Sequence, residues 1–103
     1  MEDKLHSMMG LATRAGKLAH GDSAVQEAVL KGRARLVIIA GNCGESTAEK
    51  IRRLCEEKNV LCTVFSDKES IGKAVGRDEK AVVAFTEEGF AKAAIRLMKK
   101  AAE

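Results

Sequence analysis

The chain has 103 residues, enough for one domain with a real core and too few for two. Hydrophobic residues at 46% and charged residues at 32% exclude a disordered polymer, and no apolar run reaches the roughly 18 residues that a membrane span requires. The net charge of +3 permits a nucleic-acid partner without demanding one.

The positive excess is uneven. Residues 1–35 hold six Lys or Arg against four acids, and residues 36–103 hold twelve against eleven. The N-terminus alternates charged and apolar residues, which is no secretory signal, so a cytoplasmic protein is expected.

In chain order, Leu5, Met8, Met9, Leu11, Ala12 and Ala15 are spaced for an amphipathic helix over 3–15, stopped by Gly16. Lys17–His20 can form a short extended piece. Gly21-Asp22-Ser23 is a helix-capping signal, because short polar side chains accept from orphan amide groups. Ala24, Val25, Ala28, Val29 and Leu30 form the apolar stripe of that second helix, and Gly32 ends it. Leu36–Ala40 reads as a buried strand, followed by the turn Gly41-Asn42-Cys43-Gly44. A third helix runs from Glu45 through about Lys58, with a buried stripe of Ala48, Ile51, Leu54 and Cys55.

Val60–Phe65 is the next strand. Ser66-Asp67 offers a cap for a short helix holding Ile71, Ala74 and Val75, with Glu69 where an acid suits the dipole. Gly76 stops it. The charged loop Arg77–Lys80 precedes the strand Ala81–Phe85, and Thr86 caps a final helix with acids early and lysines late. Alternating helices and strands argue for a layered α/β domain.

Several chemistries are thinly represented. Cys43, Cys55 and Cys62 have no CxxC spacing, so neither a zinc site nor a disulfide framework is indicated; Cys55 and Cys62 read as core and Cys43 as a loop residue. His6 and His20 have no partner at ligand or triad spacing. Gly41–Gly44 is neither GxGxxG nor a Walker loop. No enzyme, cofactor or metal is expected. With only Phe65, Phe85 and Phe90 as aromatics, all in or beside apolar runs, stacking of single-stranded bases is not the expected mode of RNA recognition either.

Five passages carry a family resemblance: GLATRAGKL (Gly10–Leu18), HGDSAVQEAVLKGRARLVIIA (His20–Ala40), LCEEKNV (Leu54–Val60), IGKAVGRDEKAVVAF (Ile71–Phe85) and EEGFAKA (Glu87–Ala93). In this order they resemble the kink-turn-binding ribosomal protein superfamily of the archaeal L7Ae type. The Thr-Arg-Ala-Gly-Lys passage and the Glu-Glu-Gly-Phe-Ala-Lys ending are similar to its bacterial YlxQ-like branch. The resemblance implies a single domain over 1–103, an α/β fold built as a three-layer α/β/α sandwich around a mixed four-stranded sheet. It implies a monomeric, non-catalytic protein that binds structured RNA of the kink-turn type, around ribosomes or elsewhere, and takes no small-molecule substrate.

In the family, the amino end of the second helix enters the widened major groove at the kink. The loop before the last strand covers a nucleotide turned out of the stack. Carried onto this chain, the first element comprises Gly21, Asp22, Ser23, Ala24, Gln26 and Glu27, and the second comprises Val75, Gly76 and Arg77, with Lys68 ahead of it. Lys31, Arg33 and Arg35, read as flanking the helix start, are the expected phosphate contacts, with Arg14 and Lys17 as additional ones. Gly21 and Val25 match the archaeal helix opening, whereas Ser23 replaces an Asn, Ala24 a Glu, and Glu27 a Lys that approaches RNA. Arg77-Asp78-Glu79 replaces a hydrophobic pattern. Glu27 and this charged loop favour a rival class, a protein-interaction or ribosome-associated module on the same fold with little or no kink-turn affinity.

Overall fold

The structure, a computed structural model, describes residues 2–102. Five helices alternate with four strands: α1 (Glu2–Arg14), β1 (Leu18–His20), α2 (Asp22–Leu30), β2 (Leu36–Ile39), α3 (Glu45–Lys58), β3 (Cys62–Val64), α4 (Lys68–Ala74), β4 (Val82–Phe85) and α5 (Glu88–Ala102). The strands form one sheet in the order β1-β4-β2-β3. β4 runs antiparallel to both β1 and β2, while β2 and β3 are parallel, so the sheet is mixed as expected.

Period-two alternation in the central strands sends side chains to both faces, and both faces are covered. Leu36, Ile38, Val83 and Phe85 pack with Leu5, Met9 and Ala12 of α1, Ile71 of α4, and Ala91 and Ala94 of α5. Val37, Ile39, Val82 and Ala84 pack on the other side with Val25, Ala28 and Val29 of α2 and Ala48, Ile51 and Cys55 of α3. Helices α1, α4 and α5 form one outer layer and α2 and α3 the other, which is the α/β/α sandwich. Two apolar faces explain why β2 and β4 read as continuous hydrophobic runs.

Four helices close with the same device, an amide just past the cap bonding back five residues. Lys17 bonds Ala12, Arg33 bonds Ala28, Val60 bonds Cys55 and Arg77 bonds Gly72, each N–H donating to a carbonyl oxygen at 2.8–2.9 Å. The residue before each of these amides is Gly16, Gly32, Asn59 or Gly76, all with positive φ.

Some boundaries and caps need correction. The strand expected over Val60–Phe65 is only Cys62–Val64, because it lies at the sheet edge with one partner; its Val64 is exposed and Cys62 only half-buried. Leu36–Ala40 and Ala81–Phe85 each lose one residue, since Ala40 and Ala81 join through a single bond, N–H to carbonyl at 2.8 Å, beyond the ladder. Leu54 is half-buried rather than buried. Asp22 and Ser23 cap nothing: the N-cap is Gly21 and makes no side-chain capping bond. Thr86 does not cap α5, whose start is capped by Glu87, with Oε1 accepting from Phe90 N–H at 3.0 Å. The Asp67 cap stands, its Oδ1 accepting from Ser70 N–H at 2.7 Å.

Candidate nucleic-acid interface

Strand directions decide which loops meet. Because β4 is antiparallel to its neighbours, its first residue lies at the same rim of the sheet as the last residues of β1, β2 and β3. Helices α2, α3 and α4 therefore begin along one rim. Three backbone bonds lace it together. Gly21 N–H donates to the Val82 carbonyl at 2.9 Å, Ala40 N–H to Ala81 at 2.8 Å, and Gly41 N–H to Ser66 at 2.8 Å.

The sharpest turn of the rim is Gly21, with φ 97° and ψ 157°. Only glycine takes that conformation readily, since a Cβ would collide with its own backbone. The first helical bond of α2 is Val25 N–H to the Gly21 carbonyl at 3.0 Å. With no side-chain cap, the leading amide groups of α2 face outward, which suits an anion. Lys80 leans over the same turn: a Cβ on Gly21 would stand 3.7 Å from its Nζ.

Asp22 is drawn sideways. Its Oδ2 accepts from Lys50 Nζ of α3 at 2.9 Å and its Oδ1 from Gln26 Nε2 at 2.8 Å. The Lys50 bond is the main reason its carboxyl sits below the usual range. Ser23 and Ala24 are exposed on the first turn.

The loop before β4 is shaped by a close crossing. It passes over Gly72 so tightly that a Cβ there would lie 2.0 Å from the Asp78 carbonyl oxygen. Gly76 and Arg77 are exposed, while Val75 beneath them is buried in the core. Lys68 also lies at the rim, its carbonyl accepting from Lys80 N–H at 2.9 Å and its Nζ 3.6 Å from Glu79. Asn42 ties the β2–α3 turn to α4, accepting from Lys68 N–H at 2.8 Å and donating to Glu69 Oε1 at 2.9 Å.

The remaining expected bases lie elsewhere. Lys31 is the C-cap of α2 and Arg33 follows it, so both stand at the far end of a nine-residue helix, about 13 Å from Gly21. They do not flank the helix start. Both reach Glu27, at 3.3 Å and 3.2 Å. Lys17 and Arg35 sit at the opposite rim, the Lys17 carbonyl accepting from Thr86 N–H and the Arg35 N–H donating to the Phe85 carbonyl. Arg14 ends α1 beside them. A groove of about 430 Å³ runs there between β1 and α2, lined by Lys17, Ala24, Glu27 and Arg33 among others.

Sequence reasoning thus selected two basic groups, and the fold separates them. It missed Lys80 and Lys50. Lys80 was visible as the end of the Arg77–Lys80 charge run, but only the β1–β4 pairing puts it beside Gly21. Among the described residues no group of three or more His, Cys, Asp or Glu could hold a metal ion, and no helix is long and apolar enough to cross a membrane.

Comparison with known proteins agrees with this fold. The family model described as ribosomal protein L7Ae/L30e/S12e/Gadd45 matches residues 3–95. The chain is 31% identical over 91 residues to a Bacillus subtilis protein named RNA-binding protein YlxQ, covering 88% of this chain and 91% of that one. An Enterococcus faecium protein of the same name is 29% identical over 89 residues, covering 86% and 85%. A solved structure from Bacillus halodurans, of a protein with unknown function, superimposes with a TM-score of 0.88 at 30% identity, covering 93% of this chain and 97% of that one.

Proposed function

This chain is a YlxQ-like protein that belongs to the ribosomal protein L7Ae/L30e/S12e/Gadd45 family, and from that premise we propose that it is a non-catalytic RNA-binding protein recognising a sharply bent, kink-turn type of RNA. The observation that carries this reading is the bond from Gly21 N–H to the Val82 carbonyl. It joins two segments some sixty residues apart in sequence, the start of α2 and the approach to β4, into one continuous rim. A bent RNA offers two backbones converging on one groove, and a rim with an uncapped helix start and adjacent bases fits that shape. The two relatives named as RNA-binding proteins support the same reading.

On this reading, Gly21 to Ala24 and Gln26 meet the groove. Lys68, Gly76 and Arg77 meet the backbone and the extruded nucleotide, with Val75 supporting the loop from below. Lys31, Arg33, Arg35, Arg14 and Lys17 meet an RNA arm only where it extends past the far end of α2. The protein works as a cytoplasmic monomer of one domain, on ribosomal or other structured RNA.

One observation favours the rival reading, a protein-interaction module without kink-turn affinity: Glu79 holds Lys68, and Glu27 holds Lys31 and Arg33. Those carboxylates spend bases that RNA would otherwise use. Titration of a kink-turn RNA beside a straight duplex of equal length, at physiological salt, separates the two. We expect tighter binding to the kinked RNA and a loss of affinity with rising salt. No affinity for either would leave the rival reading, and equal affinity for both would leave only nonspecific electrostatics.

A further inference from the structure

We propose that His20, Arg77 and Lys80 form a phosphodiester site on this rim, at which RNA binding is accompanied by uptake of one proton from solvent onto His20. The inference rests on the RNA-binding reading above and goes beyond it, since neither His20 nor Lys80 belongs to the set carried over from the family.

Three segments meet at the site. His20 is the last residue of β1, opposite Val83 of β4 in the ladder, and is half-buried. Its neighbour Gly21 is bonded to Val82, which holds the His20 backbone at the rim. Lys80 Nζ hangs over Gly21, and Arg77 leaves the chain where its amide is bonded to the Gly72 carbonyl at 2.9 Å.

The charges around the ring are of one sign. Arg77 and Lys80 come from the α4–β4 segment, and among the described residues neither forms an ion pair, whereas Lys31, Arg33, Lys50, Arg53, Lys68 and Lys92 all do. The acids nearby are paired or exposed. Asp22 of α2 is held by Lys50 and Gln26, Glu79 by Lys68, and Asp78 is exposed. From α1, His6 is bonded to Ser66 at 2.8 Å and Arg14 lies at the other rim. β4 offers only Val83.

Burial, then Arg77, then Lys80 hold the His20 imidazole below its ordinary range. In the free protein it is therefore neutral at physiological pH. An oxyanion seated between the two cations reverses the local potential and removes the penalty on a third positive charge. The imidazole then gains a proton and donates it as a third hydrogen bond to the phosphate. The sign follows: RNA raises the pKa of His20, so affinity is highest at low pH. It falls as pH rises through the window between the free and bound values, by up to about tenfold per unit.

The test is an NMR titration of the His20 ring signals against pH for the whole chain, free and saturated with kink-turn RNA. Affinity is measured across the same pH range for the wild type and His20→Asn. We expect RNA to raise the His20 midpoint and His20→Asn to flatten the pH dependence. Sulfate, which does not titrate in this range, should move the midpoint the same way but less. RNA bound with the His20 midpoint unmoved would overturn the site while leaving RNA binding intact. Sulfate shifting it as far as RNA would make it a general anion site and overturn the assignment. No RNA bound at all would remove the RNA-binding reading and this site together.

Discussion

Lys50 Nζ donates to Asp22 Oδ2 at 2.9 Å, so the carboxylate that opens α2 is neutralised by a base from the middle of α3. A bare carboxylate at a helix start aimed at phosphates would repel them. Lys50 supplies the opposite charge from a position 28 residues away, and Gln26 occupies the other oxygen.

Lys50→Ala should return the Asp22 pKa toward its ordinary value and weaken RNA binding by a few-fold. The side chains are 50% and 38% exposed, so solvent screens the pair and the stability cost should stay within about 1 kcal/mol. The folded-state pKa of Asp22 is depressed, so this small contribution is present above the unfolded value and disappears as pH falls through the folded one. Carboxyl NMR against pH, with urea unfolding, reads both effects. An Asp22 titration unmoved by Lys50→Ala would mean the bond does not hold in solution.

Gly72 and Gly76 should respond differently to alanine. A Cβ on Gly72 would meet the Asp78 carbonyl at 2.0 Å with no flexible atom to yield. Gly72→Ala should therefore displace the loop before β4, cost more than about 2 kcal/mol and impair RNA binding. At Gly76 nothing lies within 4 Å, and the only obstacle is φ at +72°. Gly76→Ala should cost about 1–2 kcal/mol and leave the loop in place. Urea denaturation of both variants distinguishes a steric clash from a conformational preference, and equal losses would contradict this account.

Glu27→Lys should tighten kink-turn binding several-fold and steepen its salt dependence. In the wild type, Lys31 and then Arg33 hold the Glu27 carboxyl below its usual range, and the carboxylate offsets one of their two positive charges. The substitution leaves three unneutralised bases along one side of the groove between β1 and α2. Their mutual repulsion should cost little stability, as for exposed like charges one helical turn apart. Salt-dependent affinity measurements decide it. No change would mean that the RNA does not extend past the first turn of α2.

The thiols should be inert. Burial pushes Cys55 up to about 12, with Cys62 beside it adding to the shift, and burial raises Cys43 and Cys62 as well. At neutral pH none is a thiolate to any useful extent. Iodoacetamide should modify the folded protein slowly and leave RNA binding intact. Rapid loss of binding on alkylation would place a thiolate at the interface.

Elements that depend on local pattern were legible in the sequence. The α3 boundaries, the Asp67 cap and the two-sided burial of Leu36–Ile39 all follow from spacing and short-range chemistry. Relations set by pairing were not. Asp22 reads as a cap because a free Asp at that position would be one; Lys50 takes it instead. Lys31 and Arg33 follow closely in sequence on Gly21, yet a helix carries them to the other end of the domain. Lys80 is distant in sequence and adjacent in space, which only the antiparallel β1–β4 ladder reveals.

The fourth strand to leave the ribosome lies inside the sheet, between the first and the second. Until residues 82–85 have emerged, β1 has no ladder partner and β2 has only β3. The turn at Gly21 is then held by nothing on its strand side. No N-terminal half can fold ahead of β4, and the closing contacts are widely separated in sequence, which favours slow, single-step assembly once β4 is available rather than stepwise folding before it. A nascent chain shorter than β4 thus has no rim to offer an RNA, and the capacity to bind arrives all at once.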